Sequence, residues 1–300
     1  MEKTAFIAIV GRPNVGKSSV LNRMLGQKVA IVSNKPQTTR TRIMGVLTEG
    51  EYQVVFIDTP GLHKPKTGLG EYMVRAVNES VGGVDACLLV VDPQFEPGST
   101  EIALAKKFAA MGLPAVLAIN KTDLVTEKEK LIPIILKYNE LFDFTATVPV
   151  SALNGSGIQD LKKELTALCA DGVHMFEQDA LTDQSERVLA AEMIREKILR
   201  LTDREIPHGT AVVIEKMKQR EDSGILDIDA VIYCEKSSHK GILIGKNGAM
   251  LKKISTQARL DMERFFDCRV NLQTWIKVKE DWRNRESALR SFGFDKNDFE

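Results

Sequence analysis

The stretch Gly11–Ser18, GRPNVGKS, limits what this chain can fold into more than any other. It follows the apolar run Ala5–Val10 and leads into the helix-compatible segment Ser19–Leu25. A strand, a glycine-bounded loop and a helix are the context that the phosphate-binding pattern G-x-x-x-x-G-K-[ST] requires. Loop N–H groups turn inward, and the helix offers its positive N-terminal end to an anion. In this pattern Lys17 reaches the β- and γ-phosphates and the Ser18 hydroxyl ligands Mg²⁺. The stretch therefore implies a nucleoside-phosphate site at the edge of an α/β sheet.

With 300 residues the chain has room for about two domains. Its 43% apolar and 27% charged residues are those of an ordinary globular protein with a sizeable core. Lys+Arg and Asp+Glu both number 41, which excludes a chain that is basic or acidic throughout. The distribution is uneven, however: Lys236 to Arg290 holds 13 Lys/Arg against 6 Asp/Glu. Such a local surplus fits nucleic acid or an anionic lipid surface. Cys87, Cys169, Cys234 and Cys268 lie too far apart for metal or redox spacing, and the apolar settings of Cys87 and Cys234 imply buried thiols. No apolar run approaches the ~20 residues that span a bilayer, and the first residues lack a signal-peptide plan, so a cytoplasmic protein is expected.

Beyond the loop helix, residues 33–42 are polar and contain a proline, which reads as loop. Ile43–Thr48 and Tyr52–Ile57, separated by Glu49–Glu51, give a hairpin signal. The second run ends on Asp58-Thr59-Pro60-Gly61, placing a carboxylate at a strand's C-terminal edge, where open α/β sheets bind ligands. His63–Gly70 is too polar and broken to pack and reads as a switch loop. Strand-like Ala86–Asp92, Ala115–Asn120 and Ala146–Ser151 then alternate with helical patterns at 101–111, 128–141 and 158–168. Continuous apolar strands between helices predict a mostly parallel sheet covered on both faces. Two of those strands run into Asn120-Lys121-Thr122-Asp123 and Ser151-Ala152.

Gly11–Ser18, Asp58–Gly61, Asn120–Asp123 and Ser151-Ala152, in that order, resemble the motifs of the translation-factor-related GTPases. The resemblance implies a nucleotide site made of Gly11, Arg12, Pro13, Asn14, Val15, Gly16, Lys17, Ser18, Ser19, Asp58, Thr59, Pro60, Gly61, Asn120, Lys121, Asp123, Ser151 and Ala152. It implies that Asp123 accepts hydrogen bonds from guanine N1 and N2, which adenine cannot supply; sites of that kind discriminate by ~10⁴–10⁵. It also implies catalysis by Lys17, Thr39, Asp58 and Gly61, with Mg²⁺ held by Ser18, Thr39 and, through water, Asp58. Thr38 and Thr39 are adjacent, and the sequence does not separate them; Arg40 and Arg42 fit a solvated loop face as well as a phosphate role. Leu62 stands where Ras-like enzymes carry a water-orienting Gln. Asn14 occupies the position at which related Leu-substituted GTPases bind K⁺, which makes it the candidate K⁺ ligand.

Residues 173–182 have no period and read as an interdomain linker. The expected division is a GTPase domain over 1–172, a linker over 173–184 and a second domain over 185–300. A helix at 185–201, strands at Thr210–Met217 and Leu226–Cys234, and a turn at 221–224 precede the informative segment 241–254. There Gly245-Lys246-Asn247-Gly248 forms a G-x-x-G turn between two helical stretches, with Lys240, Lys252 and Lys253 beside it. Such a loop clamps about four nucleotides of single-stranded RNA. Ile242 and Ile244 are the candidate apolar base contacts, while Leu251 and Ile254 are expected to pack inward. Trp275 and Trp282 are expected in core or domain packing rather than on bases. With a closing strand at Val270–Val278, the helix–strand–strand–helix–helix–strand order is that of a type 2 KH domain.

A P-loop GTPase domain followed by a smaller α+β type 2 KH domain resembles the bacterial Era GTPase family over essentially the whole chain. GRPNVGKS, Gln37-Thr38-Thr39-Arg40, DTPGLH from Asp58 and ALRSFG near the C-terminus all carry the resemblance. It implies a monomeric GTPase that hydrolyses GTP to GDP and phosphate, binds the 3′ end of small-subunit (16S) ribosomal RNA and assists 30S subunit biogenesis. Peripheral membrane association is implied as well. The rival expectation is a membrane-surface signalling GTPase whose basic C-terminal region meets anionic lipid.

Overall fold

The structure, a computed structural model, describes residues 1–35, 37–61 and 67–294. It divides into two compact units: Met1–Val32, Thr39–Lys64 and Met73–Asp183 make the first, and Ser33–Thr38, Pro65–Tyr72 and Gln184–Glu300 the second. Two short segments from the first quarter of the chain thus group with the C-terminal part. No helix among the described residues is long and apolar enough to cross a membrane.

The first unit is built on a sheet ordered β2-β3-β1-β4-β5-β6, with β1 Lys3–Val10, β2 Ile43–Glu49, β3 Tyr52–Asp58, β4 Ala86–Val91, β5 Ala115–Ile119 and β6 Ala146–Pro149. Only the β2–β3 hairpin in that path is antiparallel. Alternate residues of β1 feed two cores. Ala5, Ile7 and Ile9 pack with α1 (Lys17–Leu25) and α5 (Ile158–Thr166), while Ala8 and Val10 pack with α2 (Gly68–Gly82), α3 (Ser99–Met111) and α4 (Ile132–Asn139). Because both faces are covered, the strands read as continuous apolar runs instead of alternating ones. Cys87 lies in the second core, and burial pushes its thiol up to about 12.

Three details depart from the sequence reading. Residues 71–82, given no element there, are the body of α2. The helix expected over 128–141 is a 3₁₀ turn at Lys128–Leu131 followed by α4, whose first turn holds Pro133, as proline's missing N–H allows. The expected linker is not a free tether. Ala170–Asp171 (β7) pairs with β1, and residues 173–183 then run along the β3 and β2 edge. Thr4 Oγ1 donates to the Val173 carbonyl, Gln53 Oε1 accepts the Met175 and Phe176 amides, and the Val46 amide donates to the Leu181 carbonyl. This strap covers the β2 edge, which would otherwise present unpaired backbone groups.

The second unit has a three-stranded sheet, β10-β9-β8, from β8 Thr210–Gln219, β9 Leu226–Cys234 and β10 Val270–Val278. Helices α6 (Glu186–Leu201), α7 (Ser237–Ile244) and α8 (Ala249–Phe266) contribute buried residues to one core with Ile228, Ala230, Ile232 and Cys234. On the other face of β9 stand Asp227, Asp229, Val231 and Tyr233. Arg220 and Asn271 bond Asp227 and hold its carboxyl well below the usual carboxylate range. Tyr233 packs against Phe292 beyond α9 (Glu286–Ser291), with ring centroids 4.8 Å apart. Trp282 is fully buried, as expected. Trp275 is not: it is 44% exposed on the edge strand β10.

Candidate nucleotide site and nucleic-acid loop

The nucleotide motifs sit at the C-terminal ends of β1, β3, β5 and β6, as the topology of a parallel sheet requires. Lys17 opens α1 and folds its ammonium back over the loop, donating to the Gly11 carbonyl at 3.2 Å and the Arg12 carbonyl at 3.0 Å. Burial lowers its pKa to about 8, and the negative charge of Asp58 pulls in the other direction. The ammonium is therefore charged at neutral pH. Asn14 is exposed at φ +65°, a left-handed conformation that Asn adopts more readily than most residues.

Three oxygen-bearing side chains converge beside Lys17. Ser18 Oγ donates to Asp58 Oδ2 at 2.6 Å and lies 2.9 Å from Thr39 Oγ1, and Thr39 Oγ1 is 3.5 Å from the same carboxylate oxygen. Asp58 is fully buried, and its Oδ1 has no hydrogen-bond partner. Burial raises its pKa to about 6 despite Lys17, Ser18, Thr39 and the Thr59 amide, which all act to lower it. A hard, all-oxygen donor set with one orphaned carboxylate oxygen fits Mg²⁺. The two threonines are distinct in their contacts. Thr38 Oγ1 donates to the Lys35 carbonyl at 2.6 Å, away from this cluster.

The base-side loops are stapled to the phosphate loop by Asn120. Its Nδ2 donates to the Val15 carbonyl at 2.9 Å, and its Oδ1 accepts the Ala152 amide at 3.0 Å. Ser151 Oγ donates to Asp123 Oδ1 at 2.5 Å, orienting an otherwise exposed carboxylate. Lys121 donates to Asp92 Oδ2 at 2.7 Å. Asp92 and Glu101 are supports that the sequence reading missed. Glu101 accepts Arg12 Nε at 2.9 Å and the Gly98 amide at 2.9 Å, drawing the Arg12 side chain aside while its carbonyl meets Lys17. The position of Asp92, one residue past the end of β4, repeats that of Asp58 at the end of β3 and was the available signal.

Two expectations change. The Thr59 hydroxyl donates to the Ile9 carbonyl at 2.8 Å and is buried, so it splices β3 to β1. Arg40 is buried, which removes the solvated-face reading for it, while Arg42 is exposed. Pro60 and Gly61 follow the end of β3, and Ser19 lies in the first turn of α1. Leu62 and residues 63–66 of the expected switch loop fall outside the described residues, while Gly68–Gly70, expected as loop, open α2.

In the second unit Gly245–Gly248 joins α7 to α8, with Gly245 at φ +72°, Asn247 at φ +52° and Gly248 at φ +78°. Lys246, Asn247, Lys252 and Lys253 are exposed, Lys240 is half-buried, and Ile242 is 49% exposed. Ile244, expected beside it as a base contact, packs partly against the core. The loop thus offers charge, backbone and one apolar side chain.

Fold and site together define a P-loop guanine-nucleotide-binding protein that carries a KH domain. The family model described as "50S ribosome-binding GTPase" matches residues 6–121, and a KH domain model matches 205–283. GTPase Era of Ruminiclostridium cellulolyticum is 50% identical over 295 residues, 98% of each chain; that of Clostridioides difficile is 48% identical over 98% of this chain and 99% of its own. A crystal structure of a variant Aquifex aeolicus Era bound to GDP·AlF4⁻ superposes with a TM-score of 0.93 at 36% identity, covering 98% of this chain and 99% of that one. An Era complex with MgGDPNP and nucleotides 1506–1542 of 16S ribosomal RNA gives the same TM-score and identity, covering 98% and 100%. The chain belongs to the GTPase Era family.

Proposed function

We propose that this protein hydrolyses GTP to GDP and phosphate, and that its nucleotide state sets how the KH unit engages the 3′ end of small-subunit ribosomal RNA during 30S biogenesis. One conjunction carries the reading: a guanine-selective strand-end site and an exposed basic G-x-x-G loop occur in one chain of a family in which a solved member holds MgGDPNP and 16S rRNA nucleotides together. A membrane-surface role needs no such loop. The reading places the protein in the cytoplasm, acting as a monomer.

Phosphoryl transfer is mainly positioning and charge neutralisation. Lys17, held by the Gly11 and Arg12 carbonyls, would take the β- and γ-oxygens when nucleotide binds. Ser18 and Thr39 hydroxyls would hold Mg²⁺ directly and Asp58 through water; the ion neutralises charge on the transferring phosphoryl group. Asp123 reads guanine, with Ser151 fixing its carboxylate. Asn14, at the crest of the loop, is the proposed K⁺ ligand; equal turnover in K⁺ and Na⁺ buffers would remove that assignment.

The test of the whole is RNA affinity, measured with a single-stranded RNA of the 16S 3′-end sequence in the presence of GDP and of a non-hydrolysable GTP analogue. Unequal affinities are expected. Equal ones would make the nucleotide a structural ligand.

A further inference from the structure

Residues 33–38, which group with the C-terminal unit, are held on α6 at two places. Lys35 Nζ donates to the Thr202 carbonyl and, at 2.7 Å, to Asp203 Oδ1. These groups lie at the C-terminal end of α6, where a helix favours a cation. Nearer the middle of α6, Arg195 Nη2 donates to the Thr38 carbonyl and Nη1 donates to the Gln37 carbonyl at 3.3 Å. Glu192, one turn earlier, takes Nε at 2.7 Å and Nη2 at 2.5 Å. Arg195 as a whole is only 2% exposed. Its rigid fork is thus fixed on one edge by a carboxylate and aimed on the other at two successive main-chain carbonyls.

The second of these carbonyls matters most. A peptide unit is planar and trans, so the Thr38 carbonyl and the Thr39 N–H point in opposite directions. Holding the carbonyl sets the direction of the Thr39 amide and the start of the Thr39 side chain, whose hydroxyl lies 2.9 Å from Ser18. Gln37 sits at φ +58°, a conformation uncommon for a side chain of this kind and kept where surrounding contacts determine it.

We infer that Arg195 is a positioning residue for the GTP-bound state: by gripping the Thr38 carbonyl it presents Thr39 to the Mg²⁺ and γ-phosphate. This rests on the proposed GTPase reading and deepens it. GTP differs from GDP by the γ-phosphate, and a ligand shifts a conformational equilibrium only through differential interaction with its states. Contact of the γ-phosphate with Thr39 therefore favours the arrangement in which residues 33–38 are seated on α6, the first helix of the KH unit. Coupling is reciprocal, so whatever strengthens that seating strengthens GTP binding by the same factor.

The experiment compares wild type, Arg195→Ala and Arg195→Lys for affinity toward GDP, toward a non-hydrolysable GTP analogue, and toward the single-stranded rRNA with each nucleotide. Arg195→Ala is expected to keep GDP affinity within about twofold and to weaken the GTP analogue about tenfold, the equivalent of one lost ~1.4 kcal/mol interaction. It is also expected to bring the RNA affinities in the two nucleotide states together. Arg195→Lys keeps the charge and stem but cannot fork two carbonyls, and should fall between, which also covers the case of an alanine variant that does not fold. Equal weakening of GDP and GTP analogue, in either variant, would reduce Arg195 to a structural role and overturn the inference. A wild-type protein whose RNA affinity ignores the nucleotide would instead count against the proposed switch, while the GDP-to-GTP comparison still decides Arg195.

Discussion

The Ser18 hydroxyl donates to the buried Asp58 carboxylate at 2.6 Å. Burial raises that carboxyl's pKa from 3.8 to about 6, and the Ser18 bond acts against the rise. Metal binding needs the carboxylate, so a proton competes with Mg²⁺ below that value. Mg²⁺-dependent GDP binding should strengthen about tenfold per pH unit up to pH 6 and then level off, and Asp58→Asn should abolish the slope. Folding without nucleotide or metal runs the other way. A raised carboxyl pKa means the native state binds the extra proton, so this group's contribution is most favourable below pH 3.8 and is lost as pH rises to 6. That loss is about 3 kcal/mol. The melting temperature of Asp58→Asn relative to wild type should therefore climb over this window, on top of a pH-independent offset from Lys17 losing its partner.

Ser151 reaches Asp123 at 2.5 Å, and a hydrogen bond to a charged group contributes about 1.5–3 kcal/mol. Ser151→Ala should weaken GDP and GTP alike, by about tenfold, because the base is common to both. Titration calorimetry with the two nucleotides checks this. A change in their ratio would contradict it, and the contrast with Arg195→Ala separates base contacts from γ-phosphate contacts.

Much of this was legible in the sequence. The strand ends at Asp58, Asn120 and Ser151 follow from apolar runs broken by polar residues, and so does a mostly parallel sheet covered on both faces, while the strand order comes from the structure alone. Helix α6 shows where legibility stops. Its spacing of Leu189, Ile194 and Ile198 marks one buried stripe and leaves the charged residues for solvent, yet Arg195, Glu196 and Lys197 are all buried. Glu196 accepts from Lys197 at 3.0 Å and from Arg200 at 3.0 Å, and Lys197 also meets Asp261 on α8. Periodicity reports amphipathicity and cannot detect a helix packed on more than one side whose charges are internally paired. The strap at 173–183 was illegible for a related reason: side chains elsewhere in the chain, Thr4 and Gln53, bond its backbone, and they leave no pattern in the strap's own residues.

Trp282 and Trp275 differ in structure and should differ in effect. Trp282 is fully buried, with Nε1 donating to the Gly209 carbonyl at 2.9 Å and its ring 5.2 Å from Phe292. Trp282→Ala should cost about 3–5 kcal/mol by cavity formation, and Trp282→Phe about 1–3 kcal/mol through the orphaned carbonyl. Trp275→Ala, at an exposed edge, should cost no more than about 1 kcal/mol. Urea unfolding of the three variants gives the ranking.

Lys246, Lys252 and Lys253 are exposed around the G-x-x-G loop. If each meets a phosphate, its replacement by Ala should flatten the slope of log affinity against log salt by about 0.7, the value for a single strand. The change should be similar for RNAs of different sequence. Filter or fluorescence titrations at four salt concentrations supply the slopes, and an unchanged slope for all three would remove them from the interface.

The two glycines of that loop are under unequal constraint. Gly245 has φ +72° and ψ 177°, a region open essentially to glycine alone, and a Cβ there would stand 2.7 Å from the Met250 Cβ and 2.9 Å from the Met250 amide nitrogen. The clash is with the first turn of α8, which cannot move without unwinding. Gly248, at φ +78° and ψ 8°, is left-handed but open, with nothing within 4 Å of a Cβ. Gly248→Ala should therefore cost about 1–2 kcal/mol, the ordinary left-handed penalty, and leave the loop in place. Gly245→Ala carries a backbone penalty as well as the collision, so it should displace the start of α8 and cost more than Gly248→Ala in both urea stability and RNA affinity. GDP affinity should be unchanged in both. An equal loss of RNA affinity in the two variants would mean that backbone approach at Gly248, rather than the placement of α8 by Gly245, governs how the loop receives a phosphate.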